Sequence, residues 1–206
     1  MGSKPILISI EGNIGAGKST IIDNLKQYMK GNTDVIFLKE PVDIWESIQE
    51  KETGDNILQK FYNNPTQYAF SFQVMAYITR LSTIRTAIRE NPDCKVIICE
   101  RSLDADKNIF AKMLYEDKKI EDINYQIYLN FYNEYKNDYK LDGIVYEQKS
   151  HNNSDSDKKK ESDASDAAKN SIENNPYTPI SSVGASVFIK GAEKEKYSKI
   201  VEKHMS

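Results

Sequence analysis

Residues 4–20 read KPILISIEGNIGAGKST, an apolar run that breaks into a glycine-rich loop. Ile6 to Ile10 has the continuous apolar character of a buried strand. Gly12, Gly15, Gly17, Lys18 and Ser19 then fall in the pattern G-x-x-x-x-G-K-S/T. Such a loop, here Gly12-Asn13-Ile14-Gly15-Ala16-Gly17-Lys18-Ser19-Thr20, wraps backbone N–H groups around phosphates. The helix that follows turns its positive end toward them. In that arrangement Lys18 reaches the β- and γ-phosphates and Ser19 gives an oxygen to Mg²⁺. A plain strand-to-helix turn needs glycine for geometry but has no use for Gly12 and Lys18 at this spacing. Phosphate chemistry is therefore the leading expectation.

Beyond the loop, Ile21, Ile22, Leu25 and Met29 recur at helical spacing and predict a helix over 19–30. Val35 to Lys39 reads as a second strand ending in Glu40-Pro41, and short helices are expected over 42–51 and 56–62. Asn64-Pro65 is a start signal, with proline at the first helical position, for a long helix running to near Glu90. Val96 to Cys99 reads as a third strand ending in Glu100-Arg101-Ser102, followed by helices over 103–115 and 121–139. Gly143 to Tyr146 reads as a fourth strand and GASVFI, 184–189, as a fifth. A last helix is expected over 193–204, with Tyr197, Ile200 and Val201 on one side. Strands alternating with helices predict an α/β fold with a parallel sheet flanked by helices. Ligands of such sheets sit beyond the carboxyl ends of the strands. The first strand ends in the glycine loop, the second in Glu40 and the third in Glu100-Arg101, so three sets of catalytic-type groups are expected on one edge.

The character of the chain changes at Lys149. From there to Ser171 the apolar residues are three alanines, too few to bury a core, and a solvated linker is expected. The predicted organisation is a core over 1–148, a polar linker over 149–182, and a strand and helix over 183–206 that complete the same domain. The 206 residues suit one α/β domain. A net charge of −3 gives no sign of a nucleic-acid coat or a membrane surface. No apolar run reaches membrane-span length, and no secretory segment opens the chain. Cys94 and Cys99 lie at either end of a predicted strand, too close for a framework disulfide and without metal-site spacing, which fits a reduced cytoplasmic setting. His151 and His204 fall in polar or terminal segments, so a histidine base is not expected.

A carboxylate at Glu40, after a buried strand and before Pro41, can take the proton of a hydroxyl as it attacks a γ-phosphate. Alone it reads equally well as a surface charge; the glycine loop on the same edge favours function. Arg101 is a candidate for stabilising charge on a transferred phosphoryl group, and Glu100 for holding Mg²⁺ through water, against the alternative of an ion pair closing a strand. Gln73 and Arg80 are seven residues apart on the long helix and share a face. An amide there can make a bidentate contact with a base edge. Trp45, Phe72 and Phe110 can sandwich a flat ring, although core packing is the better account of any one of them taken alone.

The segments GNIGAGKST, KEPVDIW, ILQKFYNNP, FSFQVMAYITR, CERSLDADKNIFA and LDGIVY, in that order, resemble the deoxynucleoside kinase family, and its deoxycytidine and deoxyguanosine kinases in particular. The resemblance runs from Lys4 to Gln148. It implies a P-loop kinase with a five-stranded parallel sheet that moves the γ-phosphate of ATP or another nucleoside triphosphate, with Mg²⁺, to the 5′-hydroxyl of a deoxynucleoside. By resemblance Glu40 is the base, with Arg101 and Glu100 flanking it. Tyr62 holds the sugar 3′-hydroxyl, and Gln73 pairs with the base among Trp45, Phe72 and Phe110. Arg80 and Asp106 match an Arg–Asp pair found in members that accept deoxycytidine and purine deoxynucleosides. Tyrosines at 125, 128, 132, 135 and 139 form a 3–4–3–4 stripe, which suits a helix–helix seam within one chain or between two. The resemblance favours a homodimer.

Past Gln148 the resemblance fails. The family carries a lid helix with several arginines, whereas no arginine follows Arg101 here. Lys158, Lys159 and Lys160 form a cationic cluster among aspartates, and lysine lacks the planar fork of arginine. Lys107 also stands where the family has an arginine. Two readings follow: an active deoxynucleoside kinase with a divergent lid, or a nucleotide-binding pseudokinase or regulatory subunit. The glycine loop, Glu40, Glu100 and Arg101 together favour the first. Another P-loop ATPase or a nucleoside monophosphate kinase fits the Gln73 helix and the Glu40-Pro41 strand end poorly.

Overall fold

A computed structural model describes residues 4–147, 178–182 and 185–189. These residues group into two compact units interleaved along the chain. The first lies within Met1–Lys39, Pro92–Ser102 and Lys140–Ser206; the second comprises Glu40–Asn91 and Leu103–Tyr139.

The first unit contains strands β1 (Ile6–Gly12), β2 (Val35–Leu38), β3 (Val96–Glu100), β4 (Gly143–Glu147), β5 (Thr178–Ser182) and β6 (Ala185–Ile189), with helix α1 (Lys18–Tyr28). The sheet order is β2-β3-β1-β4-β6-β5. The pairs β2–β3, β3–β1 and β1–β4 are parallel, with Ile8 beside Ile98 on one side and Gly143 on the other. Ile8, Ile10, Ile22, Val96 and Val145 form the core, and Ile21, Leu25, Val35 and Phe37 pack around it. Each fully buried isoleucine such as Ile22 contributes about 1.5–3 kcal/mol, which is why α1 holds its register on the sheet.

The parallel sheet is as expected, and among the described residues four strands take part in parallel pairing. The predicted fifth strand is present as β6, and it runs antiparallel to β4. Thr178–Ser182, within the stretch assigned by composition to the linker, forms β5 and pairs antiparallel with β6 across a two-residue connection. A connection that short joins antiparallel strands; a parallel crossover needs a dozen residues or more. The rest of the expected linker, the Lys158–Lys160 cluster and the expected last helix lie outside the described residues.

The second unit is helical: α2 (Val42–Ser47), α3 (Ile57–Asn63), α4 (Pro65–Glu90), α5 (Leu103–Ala105), a π-helical turn (Asp106–Ala111), α6 (Lys112–Glu116) and α7 (Asp122–Tyr135). Polar caps fix the starts of α3 and α4. Asn56 and Gln59 form a reciprocal capping box on α3, and the Asn64 side chain accepts from Gln67 N–H ahead of Pro65 on α4. Helix α2 is shorter than predicted because the chain leaves it to form a bridge between Gln49 and Asn56. Ala69, Leu114 and Ile120 make a core with Phe61, Phe70, Tyr115 and Tyr125 around it. Three tyrosines of the predicted stripe pack within the chain, and α7 ends at Tyr135, short of Tyr139. Tyr128 and Tyr132 are buried against Tyr77 of α4, and Tyr125 stacks on Tyr115 at 4.3 Å.

Candidate active site

The glycine loop lies between β1 and α1 of the first unit, and its glycines answer to distinct constraints. A Cβ on Gly12 would stand 2.6 Å from the backbone oxygen of Glu147 on β4, so no other residue fits without moving that strand. Gly17 caps α1 in the left-handed region at φ 93°, where a side chain is strained. No side chain caps the N-terminus of α1 among the described residues. Its first N–H groups and dipole therefore present a positive end for an anion. Lys18 is buried and its Nζ donates to the Asn13 carbonyl at 2.8 Å, a bond that ties the lysine across the loop.

Ser19 Oγ donates to Glu100 Oε1 at 2.7 Å, bringing the loop and the end of β3 together as the sequence led one to expect. These are two hard oxygen donors. Mg²⁺ is usually held by one or two protein oxygens together with phosphate oxygens and water, so the pair fits that ion. Among the described residues no group of three or more His, Cys, Asp or Glu is placed to hold a metal by itself.

Arg101 follows at φ 62°, left-handed backbone that costs a non-glycine residue roughly 1–3 kcal/mol. It is nevertheless buried and fixed. Its N–H donates to Ile10 O at 3.1 Å, and the next N–H, of Ser102, donates to Glu11 Oε1 at 2.9 Å. Glu11 was not among the residues expected to matter. The signal was there: a carboxylate closing the apolar run of β1, where a charge is not buried without a partner.

In the second unit a polar cluster gathers around Arg80 of α4. Arg80 Nη1 meets both carboxylate oxygens of Asp106, at 2.6 and 2.7 Å, and Nη2 donates to Glu40 Oε1. Burial pulls the Arg80 pKa down, but Asp106 and Glu40 more than offset it and hold the guanidinium firmly charged. The guanidinium also lies 5.0 Å from the Trp45 ring centre, and Trp45 Nε1 donates to Thr79 Oγ1 at 2.9 Å. The expected Arg80–Asp106 pair is thus present, and Glu40 is drawn into it. Asp106 reaches Arg80 from the first turn of the π-helical segment, which also carries Phe110. A π turn is a local insertion that re-aims side chains, and no sequence periodicity announced it.

Trp45 meets Phe72 edge-on at 5.5 Å, and Phe72 stacks on Phe61 at 4.7 Å. Phe61 was also missed; an aromatic beside Tyr62 in a short helix carries no signal that separates it from core packing. Gln73 is buried, and its Oε1 has no hydrogen-bond partner among the described residues. Leaving such an atom unpaired costs about 1–3 kcal/mol. Tyr62 stands exposed at the end of α3, its hydroxyl free of the core.

The sequence profile described as deoxynucleoside kinase matches residues 8–170. The chain belongs to the deoxynucleoside kinase family. Among its curated relatives is a probable deoxycytidine kinase of fowlpox virus, 39% identical over 145 residues, covering 68% of this chain and 54% of that protein. Human deoxycytidine kinase is 32% identical over 165 residues, 71% of this chain and 62% of the relative. The mitochondrial deoxyguanosine kinase of Xenopus laevis is 31% identical over 156 residues, 68% of this chain and 57% of the relative. The chain thus matches a little over half of the length of these deoxynucleoside kinases. The family match includes the glycine loop, Glu40, the Gln73 helix and the Glu100-Arg101-Ser102 turn.

Proposed function

We propose that the chain transfers the γ-phosphate of ATP, or of another nucleoside triphosphate, to the 5′-hydroxyl of deoxycytidine or a purine deoxynucleoside. The observation that carries this is Gln73. A buried amide with an unpaired oxygen is a cost that a base edge bearing an amino donor would relieve. The glycine loop supplies the other requirement, an uncapped helix start with a lysine and a serine for a polyphosphate.

In this reaction the Glu40 carboxylate takes the proton of the 5′-hydroxyl as its oxygen attacks the γ-phosphorus. The bond from that phosphorus to the β–γ bridging oxygen breaks, and the nucleoside diphosphate leaves with that oxygen. Lys18 and the loop N–H groups hold the β- and γ-phosphates, and Arg101 stabilises charge on the transferring group. Mg²⁺ held through Ser19 and Glu100 supplies further charge neutralisation on those phosphates. Trp45, Phe72 and Phe110 flank the base, Tyr62 takes the sugar hydroxyl, and Arg80 with Asp106 selects the base.

Two further assignments belong to the same proposal. Ile123, Ile127 and Phe131 lie exposed at four-residue intervals on α7, an apolar stripe suited to a second copy of the chain. The kinase is accordingly a homodimer. Its setting is the cytoplasm, in keeping with two cysteines that form no disulfide. No described helix is long and apolar enough to cross a membrane.

The test is phosphate transfer from Mg·ATP to each of the four deoxynucleosides, with Glu40→Gln as the blank. Product from deoxycytidine or a purine deoxynucleoside, absent in the blank, is expected. No product from any of the four, with ATP still bound, would refute the proposal and leave a nucleotide-binding protein without turnover.

A further inference from the structure

We infer that Glu11 is a positioning residue for phosphoryl transfer, holding the backbone of Arg101 in the left-handed state that the turn after β3 requires. The inference rests on the kinase reading for its effect on rate, but its structural part stands independently. Glu11 is 6% exposed at the end of β1, a position where a carboxylate is costly unless it does something for its neighbours. What it does is accept the N–H of Ser102. That bond and the one from Arg101 N–H to Ile10 O grip the residues on either side of the Arg101 Cα.

The consequence follows from the geometry of the turn. At φ 62° Arg101 lies outside the regions that a non-glycine residue prefers, so an unrestrained turn relaxes toward negative φ. Relaxation would swing the Arg101 side chain and release Glu100, whose Oε1 takes the Ser19 hydroxyl. Arg101 is also buried, at 7% exposure, so its side chain has little freedom to compensate for a moved backbone. Strain of this kind persists only where the surroundings over-determine it, and the Glu11 carboxylate contributes one such restraint through Ser102. Its bond to Ser102 is to a backbone N–H, which an amide oxygen of the same reach also accepts, though more weakly than a carboxylate. Reach is therefore the first property this bond requires.

Three variants separate these properties. E11Q keeps reach and loses charge, E11D keeps charge and loses reach, and E11A loses both. The readouts are hydrogen–deuterium exchange at the Ser102 amide, calorimetric binding of Mg·ATP, and kcat with KM for deoxycytidine. Expected for E11Q is a protected Ser102 amide and most of the wild-type kcat. Expected for E11D and E11A is fast exchange at Ser102 and kcat lower by about 10²-fold, the scale of a 1 Å misplacement, with KM for deoxycytidine little changed. Should E11A not fold, E11D against E11Q decides. Protection lost equally in E11Q and E11D, or kept in all three, overturns the inference. If the wild type itself transfers no phosphate, the kinase reading fails, and the exchange pattern still decides whether Glu11 sets the turn.

Discussion

Removing Asp106 exposes the logic of the Arg80 cluster. The Asp106 side chain is 2% exposed and meets Arg80 through two short hydrogen bonds. Taking one partner from a buried ion pair typically costs about 3–5 kcal/mol, because the other charge is left without compensation. Here Glu40 still accepts from Nη2, so Asp106→Ala is expected at the low end, about 3 kcal/mol. For a chain of this size that is a fall in Tm of roughly 6–12 °C. Arg80→Met/Asp106→Ala removes the buried pair and leaves Glu40, whose side chain is 22% exposed and within reach of water, without its guanidinium partner. The double variant is therefore expected to recover part of the loss. Urea unfolding of the wild type, both single variants and the double variant closes the cycle. A double variant no more stable than Asp106→Ala, or an Asp106→Ala variant as stable as the wild type, would refute the claim that the pair is buried and mutually dependent. On the proposed function, the double variant also gains thymidine turnover relative to deoxycytidine.

Gln73→Leu is expected to leave Tm unchanged or raise it, since it removes an unpaired buried oxygen. It should raise KM for the deoxynucleoside about 10–100-fold, the worth of a bidentate base contact, and an unchanged KM would remove Gln73 from base recognition. Gly12→Ala places a methyl group 2.6 Å from the Glu147 carbonyl and is expected to lower stability by about 1–3 kcal/mol, read from the urea midpoint. Ile127→Glu puts a charge in the exposed stripe of α7 and should turn a dimer into a monomer by sedimentation velocity; an unaltered dimer would rule out this face. Burial pushes Tyr77 up to about 12 from an ordinary 10.0, and Tyr128 and Tyr132 are raised as well. The folded state therefore keeps protons that the unfolded chain loses. Stability from these groups is full below pH 10.0 and falls as pH rises from there through about 12. Phenolate absorbance in native and unfolded protein checks this, and coincident titration curves would contradict it.

The glycine loop was legible because its pattern is local. Gly12, Gly17, Lys18 and Ser19 must be adjacent in the chain to wrap one ligand, so their spacing carries the information. Helix α4 was legible for a similar reason: Asn64-Pro65 marks its start, and the observed span, Pro65–Glu90, is the expected one. The cluster at Arg80 was half legible. Gln73 and Arg80 share a helix face by arithmetic, whereas Asp106 needed a resemblance, and the arrival of Glu40 at the same guanidinium needed coordinates. Glu11 shows why the rest stayed hidden. Its partner Ser102 is 91 residues away, and no local pattern records a bond of that kind.

The sequence by itself determined the strand–loop–helix that opens the chain, the alternation behind a parallel sheet, and the membership of a family of deoxynucleoside kinases. All of these rest on residues near one another or on motifs kept in order. Tertiary structure decided the direction of β6, the inward turn of the tyrosines on α7, and the π-helical turn that aims Asp106 at Arg80. It also decided that a carboxylate at the end of β1 grips the turn after β3. The physical reason is common to them. Strand direction, helix facing and buried hydrogen bonds are settled by which distant segments exclude water together, and local propensity does not encode that choice.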